Sequence, residues 1–502
     1  MKNILVCLLV VSSLGTVPAF AAESSVPLPE PHPLMVIPFV VLLLCIALMP
    51  FIHKHHWEKH YPKVAIGLGL VTAFYYVVVL HNALRILTSM IEYAGFMALI
   101  GSLFVIAGGI HIQITGRSTP ALNTLLLAVG AVLANLIGTT GASMVLIRPF
   151  LRINQRRVAP YHVVFFIFLV SNIGGALTPI GDPPLFLGYL KGVPFFWLLK
   201  LPEVLLPWLM CSGALLALFF FIDTANFRKH KADADAGAVD GNRIEFEGSR
   251  NFIWLFVILG LVLVQKAEWL EGLEHSSAVV SLGNAMGWSP AKASESLVTA
   301  MVALLMIATA CLAHKLANQD ILKRNEFDFA PMREVGFLFA GIFATMVPAL
   351  DLLEKHAGHI GITTVRQFFW GTGGLSSVLD NAPTYLSFLT AAFGLQHLSL
   401  ENPIHMQALL HPDIINQYTP QQLVDLGLHK LDPNAWRYVV AVSLGAVFFG
   451  AGTYIGNGPN FMVKSIAESS GVKCPSFFGY VLKYAVPILL PLFALVSWLF
   501  LR

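Results

Sequence analysis

The stretch Ser171 to Leu187, SNIGGALTPIGDPPLFL, decides how the rest of the chain is read. It follows Tyr161 to Val170, an apolar run that enters it as a membrane helix would. Then come Asn172, Gly174, Gly175, Thr178, Pro179, Gly181, Asp182, Pro183 and Pro184. Proline removes an amide donor and clashes one turn back, and glycine weakens a helix further. A carboxylate at membrane depth costs about 3 kcal/mol on insertion scales. Such backbone is tolerated only where protein shields it or where it lines a watery cavity. The segment therefore reads as a broken helix whose freed carbonyls and side-chain oxygens bind an ion or solute.

Composition sets the frame. The 502 residues are 56% hydrophobic and 12% charged, with a mean hydropathy of +0.72, which places the chain among polytopic membrane proteins. The five cysteines are scattered, without a CxxC pair, and support neither a disulfide framework nor a cysteine metal site. There is no phosphate-binding glycine loop and no basic, aromatic-interleaved patch for nucleic acid. No soluble segment is large enough for a nucleotide-driven motor.

Met1 to Ala21 has a basic start, an apolar run and Ala19-Phe20-Ala21, and is expected to be a signal peptide (residues 1–21). Glu23 to Pro33 is polar and proline-rich, hence extended. Apolar runs follow at Leu34–Ile52, Pro62–Leu80, Tyr93–Ile110, Pro120–Phe150, Tyr161–Leu190 and Pro194–Ile222. A polar linker, residues 223–250, separates them from Phe252–Val264, Ser294–His314, Val335–Leu350, Val365–Phe393, Tyr438–Met462 and Phe477–Leu501. Two runs are anomalous. Residues 120–150 carry Asn135, Gly138, Thr139, Thr140, Gly141 and Ser143 in their middle; residues 365–393 carry Gly371, Gly373, Gly374, Ser376, Ser377, Asp380, Asn381 and Pro383. A polar, glycine-rich centre between two half-length apolar arms predicts a re-entrant hairpin with its tip near the midplane.

Charge supports this assignment. With the mature N-terminus outside and both hairpins returning to the side they entered, the loops 53–63, 115–118, 151–160, 223–250, 315–333 and 464–476 lie inside. They hold about 18 Lys and Arg against about 7 outside, as the positive-inside rule expects. The expected location is a bacterial cytoplasmic (inner) membrane.

The broken stretch has a partner. Thr178-Pro-Ile-Gly-Asp-Pro-Pro-Leu-Phe186 matches Thr453-Tyr-Ile-Gly-Asn-Gly-Pro-Asn-Phe461 at a constant offset of 275 residues. Each copy follows a hairpin-like segment, and the halves 22–222 and 251–502 have opposite expected orientation. The expected fold is an all-α polytopic membrane protein: an inverted repeat with two re-entrant hairpins and two broken helices, 161–190 and 438–462. That architecture places a site at the repeat interface.

SNIGGALTPIGDPP, LSSVLDNAPTYL and GTYIGNGPNF together resemble the ion transporter superfamily: NhaD-type sodium/proton antiporters, arsenite permease-like proteins and the citrate transporter family. The resemblance covers essentially the whole mature chain. It implies a scaffold-plus-transport-domain fold, a homodimer, and an elevator-type movement of hairpins and broken helices. By position it implies site residues Thr139, Thr140, Gly141, Ala142 and Ser143 in the first hairpin tip, and Ser171, Asn172, Thr178 and Asp182 in the first broken helix. It adds Ser376, Ser377, Asp380, Asn381 and Thr384 in the second tip, and Thr453, Gly456 and Asn457 in the second broken helix. Antiporter-like and arsenite-permease-like relatives often carry an acid where this chain has Gly138-Thr139-Thr140. The chain keeps one clear acid per half, Asp182 and Asp380, which weakens the case for a two-acid antiport mechanism and leaves room for an anion carrier.

The chemistry of these residues leaves alternatives open. Asp380 is either an ion-coupling carboxylate or an N-cap of the second hairpin arm. It is the favoured coupling acid at this level, with a Na+ site among Asp380, Asn381, Asn172 and Asn457. Asp182 precedes Pro183-Pro184 and is either an ion ligand or a cap. Asn172 and Asn457 offer amide oxygens or pack between close helices. Thr139, Thr140 and Ser143 either donate hydroxyls to an anion or permit close helix approach. Arg148 either snorkels to the interface or meets a substrate carboxylate. The His53–His60 cluster is either a metal or pH sensor or a solvated interfacial loop, the latter favoured.

The first functional expectation is a sodium/proton antiporter, not an enzyme, with Na+ and H+ as its ions, no cofactor, and lipid and a small inorganic cation or organic anion as partners. The alternative is Na+- or H+-coupled citrate or dicarboxylate transport. A remote alternative is an intramembrane aspartyl protease. That class needs GxGD, and here proline stands first in Pro179-Ile-Gly-Asp182 while Val378-Leu379 precede Asp380.

Overall fold

The computed structural model describes residues 30–501 apart from 232–242, 266–267, 360, 412 and 414–417. The expected signal peptide lies outside the described residues. The described chain is almost entirely helical. Among the described residues, seven helices are long and apolar enough to cross a membrane, or eight if the pair Ala330–Thr345 and Val347–His359, bent by 42°, counts as one.

The principal helices are α1 (Ile37–Ile52), α2 (Lys54–Phe74), α3 (Ala83–Gly108), α4 (Pro120–Asn154), α5 (Pro160–Leu169), α6 (Pro183–Leu190) and α7 (Pro202–Lys229). They continue with α8 (Arg250–Val264), α9 (Ser277–Met286), α10 (Pro290–Leu316), α11 (Ala330–Thr345), α12 (Val347–His356), α13 (Val365–Ser376) and α14 (Asn381–Leu395). The last are α15 (Trp436–Gly450), α16 (Gly458–Ser469) and α17 (Leu490–Phe500). Two of the expected runs are each two helices. The segment expected at 161–190 is α5 and α6 with non-helical backbone between them, and that at 438–462 is α15 and α16 with a second break. The four pieces are 10, 8, 15 and 12 residues long, too short to span alone.

The 35-residue helix α4 doubles back within itself at Gly138, whose φ of 76° is open to glycine and strained for other residues. Its two ends meet. Asn123 and Asn154 exchange amide hydrogen bonds of 2.8 and 2.9 Å, and Ser118 also donates to Asn154. The arms α13 and α14 are likewise antiparallel, with Phe368 against Phe388 beyond the turn at Ser377–Asp380.

Packing gathers the helices into two groups. In one, α1, α2, α3, α8, α10 and α11 pack on each other; in the other, α4, α6, α7, α13, α14, α15, α16 and α17 do so. The groups meet where α3 contacts α4 and α6, and where α12 contacts α14.

Three expectations are corrected. The linker 223–250 is not simply a loop: α7 runs through its start to Lys229, and β2 (Arg243–Glu247) pairs antiparallel with β1 (His111–Thr115). The 53–63 loop is helical from Lys54, because Pro62 lies within α2 without ending it, so the histidine cluster sits on a helix and His56 stacks on His60. The run expected at 335–350 is longer and bent, since Pro348 interrupts it after Met346. The β-ribbon also gathers the basic loops. Arg324 pairs with Glu247, Asn325 donates to the carbonyls of Gly108 and Ile110, and Arg148 pairs with Glu326. Loops 111–118, 151–158, 243–250, 318–327 and 465–472 therefore share one face.

Candidate functional site

Both helix breaks have the same construction. A Cβ on Gly181 would lie 2.1 Å from the Gly175 carbonyl oxygen, and one on Gly456 would lie 2.7 Å from that of Gly450. Only glycine allows the backbone to cross itself so closely. Within each loop a threonine hydroxyl accepts from a glycine amide: Gly181 to Thr178 at 3.2 Å and Gly456 to Thr453 at 3.1 Å. Each hydroxyl then donates to a hairpin backbone carbonyl, Thr178 to Asn135 at 2.6 Å and Thr453 to Ser377 at 2.5 Å. Each break is thus fastened to its hairpin by side chains of identical type.

Asp182 lies at the centre, 1% exposed. Its Oδ1 accepts from Thr139 of the first hairpin at 2.7 Å and from Asn457 of the second break at 2.9 Å. Its Oδ2 accepts from Asn381 of the second hairpin at 2.5 Å. One carboxylate therefore joins three elements besides its own. Asp182 occupies the N-cap position of α6, yet its side chain makes no capping bond. Asp380 does the reverse: its Oδ1 caps α14 through the Ala382 amide at 3.1 Å. Of the two acids, the geometry makes Asp380 the cap and Asp182 the shared group.

The surrounding amides are ordered. Asn172 donates to the Ile167 carbonyl and to Asn460 Oδ1, Asn460 donates to the carbonyls of Gly450 and Thr453, and Asn457 also reaches Asn172 Oδ1 at 3.2 Å. Ser143 and Ser171 share a hydrogen bond of 2.8 Å. Asn381 and Asn457 thus touch Asp182, and Asn172 lies behind Asn457. Thr384 spends its hydroxyl on the Asp380 carbonyl, and Ser377 on those of Gly373 and Phe449. Thr140 is half-buried next to Thr139. Two contributors escaped the sequence reading. Asn460 was hidden within a motif compared with an apolar copy, and Asn135 counted only as a polar hairpin residue.

Electrostatically the centre is unbalanced. All three donors to Asp182 are neutral, and among the described residues no Lys, Arg or His forms an ion pair with it. The buried Asn381 Oδ1 accepts no hydrogen bond in the described structure. A buried carboxylate beside an unused amide oxygen is a donor set for a hard cation or a proton.

A second polar cluster lies on the face away from the basic loops, at the start of α3. Glu401 accepts from Lys191 at 2.5 Å, Arg85 at 3.1 Å and Lys292 at 3.1 Å. Arg85 also holds Asp351 at 2.9 Å, and Lys191 holds Glu92 at 2.8 Å. Burial alone would raise the Glu401 carboxyl, but the charges of Lys191, Arg85 and Lys292 outweigh it and hold the group well below the usual carboxylate range. The cluster ties the α6 end and the loop after α14 to α3, α10 and α12. These charges are scattered along the sequence at segment ends, and nothing in their spacing announces the assembly.

Two broken helices, two doubled-back helices and a buried acid shared between them, in a chain of apolar spans, define a multi-pass membrane transport protein. The chain belongs to the family described as "Putative citrate transport", whose model matches residues 30–501. The comparison with curated proteins found no match.

Proposed function

We propose that the protein is a secondary active carrier of citrate or a related di- or tricarboxylate, coupled to Na+ or H+. The observation that carries this reading is the family match over residues 30–501. The site is compatible with it. The first hairpin tip is uncharged, with Gly138 and Thr139 where an antiporter-like acid would stand. The helix starts at Pro183 and Gly458 direct their amide dipoles toward the centre, which favours an anion.

Coupling follows from the charge balance. Asp182 is buried with only neutral hydrogen-bond partners, so a positive partner stabilises its charge, and Na+ or H+ supplies it. Asp182 and Asn381 Oδ1, with Asn172 and Asn457 close by, are the candidate Na+ ligands. Neutralising Asp182 also lowers the repulsion a carboxylate substrate meets there. Sodium/proton exchange alone is the second reading, and the uncompensated Asp182 is what favours it.

In this reading the doubled-back helices are re-entrant hairpins, the two halves form an inverted repeat, and the group containing α4, α6 and α13–α16 moves against the group built on α2, α3, α10 and α11. The basic-loop face is cytoplasmic, the membrane is a bacterial inner membrane, and the protein is a homodimer. Purified protein in liposomes, given labelled citrate, succinate or Na+ with imposed Na+ and pH gradients, tests the proposal. Gradient-driven citrate or succinate accumulation supports it. Na+-evoked proton flux with no carboxylate uptake sinks it in favour of exchange.

A further inference from the structure

The two faces of the molecule are closed differently. On the face bearing Glu401 the helix groups are joined by several half-buried ion pairs. On the basic-loop face the groups are bridged by Arg148 and Glu326 at 2.9 Å, beside a cavity of about 320 Å³. That volume is in the range of small-molecule sites. Arg148 lies on the return arm of α4, and the cavity is also lined by Arg152, Gln155, Ser465, Ser469 and Glu326.

The central site connects to this face along the return arm of α4, which runs from Gly138 to Asn154. Gly138 at the hairpin tip is against Leu103, and Gly141 is against Ala107, close to the C-terminal end of α3 at Gly108. At 1.5 Å per residue, Leu103 is about 8 Å from that end and about 30 Å from the other. Arg148 is about 15 Å along the return arm from the tip. A solute moving between the centre and the basic-loop face along this arm passes the Arg148 cavity.

Glu326 indicates what the cavity takes. Its side chain is 76% exposed while that of Arg148 is 14% exposed, so a rooted guanidinium is covered by a loosely held carboxylate. Its backbone is left-handed, with φ of 48°, which non-glycine residues adopt at a cost. An ion pair so exposed on one side is weak and readily exchanged. The planar guanidinium fork accepts a carboxylate in bidentate fashion, Arg152 offers a second cation, and Gln155, Ser465 and Ser469 offer neutral donors.

We infer that the Arg148–Arg152 cavity is a docking site for free di- or tricarboxylates on the basic-loop face, occupied in this structure by the Glu326 carboxylate as an internal stand-in. The inference rests on the carboxylate-transport reading. An incoming substrate displaces Glu326, separates the two helix groups on this face and is handed on toward the hairpin tips.

The test is labelled-citrate uptake in vesicles of defined orientation, measured from each face, for wild type, Arg148→Ala, Glu326→Gln and the exchange Arg148→Glu with Glu326→Arg. Glu326→Gln removes the competitor and lowers the apparent KM from the basic-loop face about tenfold; Arg148→Ala raises it about tenfold. Neither changes KM from the opposite face. The exchange restores an ion pair of opposite sense but not the rooted arginine, so KM stays raised. Recovery of the wild-type value by the exchange would mean that the pair only holds structure, and would overturn the inference. Equal KM in all variants from the basic-loop face overturns it as well. Wild-type vesicles that move no carboxylate overturn the transport reading itself, and this site with it.

Discussion

Asn457 donates its side-chain amide to Asp182 at 2.9 Å, and the two residues are 275 positions apart, the offset that relates the two broken-helix motifs to each other. Corresponding residues of the two motifs are therefore in contact. Tyr76 and Asp351, bonded at 2.7 Å in the other helix group, have the same separation. One copy supplies the acid and the other its amide, so a neutral donor faces the carboxylate instead of a second negative charge.

The first prediction separates the two acids. Asp182→Asn leaves the Asn381 and Asn457 amides facing another amide, and abolishes gradient-driven uptake, a loss of at least about 100-fold, equal to about 2.7 kcal/mol. Asp380→Asn keeps a good N-cap and changes thermal stability by less than about 0.5 kcal/mol, whereas Asp380→Ala costs about 1 kcal/mol. Uptake and thermal denaturation of the purified variants check this. Full uptake by Asp182→Asn, with loss in Asp380→Asn, would return the coupling role to Asp380.

The glycine crossings predict a stability phenotype. Gly181→Ala and Gly456→Ala place a methyl group 2.1 and 2.7 Å from a backbone oxygen, where no flexible side chain can yield. Both variants should lose several kcal/mol, on the order of 3 or more, with poor recovery of folded protein by size-exclusion chromatography. Gly213→Ala, where a Cβ meets nothing within 4 Å, is the control and should behave as wild type.

The Glu401 cluster predicts a pH dependence. Its carboxyl is held well below the range it has when unfolded, so its contribution is present above about pH 4.3 and fades as pH falls through the folded value. Glu401→Gln leaves Lys191, Arg85 and Lys292 without their common partner, a loss of about 3–5 kcal/mol near neutral pH. Thermal unfolding of wild type and variant from pH 7 down to pH 3 should draw closer together below about pH 4.3. Curves that stay parallel would show that the fold does not shift the Glu401 carboxyl from its unfolded value.

Thr139 tests the reach of the first hairpin. Thr139→Val removes one donor to Asp182 and keeps the shape, with a cost of about 1–2 kcal/mol, while Thr139→Ser restores the bond. Uptake assays at saturating and limiting coupling ion should find the valine variant impaired chiefly at limiting ion and the serine variant near wild type.

Much of this arrangement was legible in the chain because breaking a membrane helix requires particular residues. Gly175, Gly181, Pro183 and Asp182, and their counterparts Gly450, Gly456 and Asn457, mark where backbone leaves the helix, and the polar centres near Gly138 and Asp380 mark the turns of the doubled-back segments. The roles of the two acids were not legible. Both precede a helix start, and only the position of Thr139, Asn381 and Asn457 around Asp182 distinguishes the shared carboxylate from the cap. The β-ribbon was missed because five-residue strands in polar linkers carry little pattern. The Glu401 cluster was missed because its partners come from five distant segments, each charge ordinary where it stands.

The most direct measurement is uptake of labelled citrate into proteoliposomes under an inward Na+ or H+ gradient, with wild type and Asp182→Asn side by side. Wild type should accumulate citrate above the level reached when the gradient is collapsed, and Asp182→Asn should not. Wild-type vesicles that exchange Na+ for H+ while taking up no citrate or succinate would contradict the account.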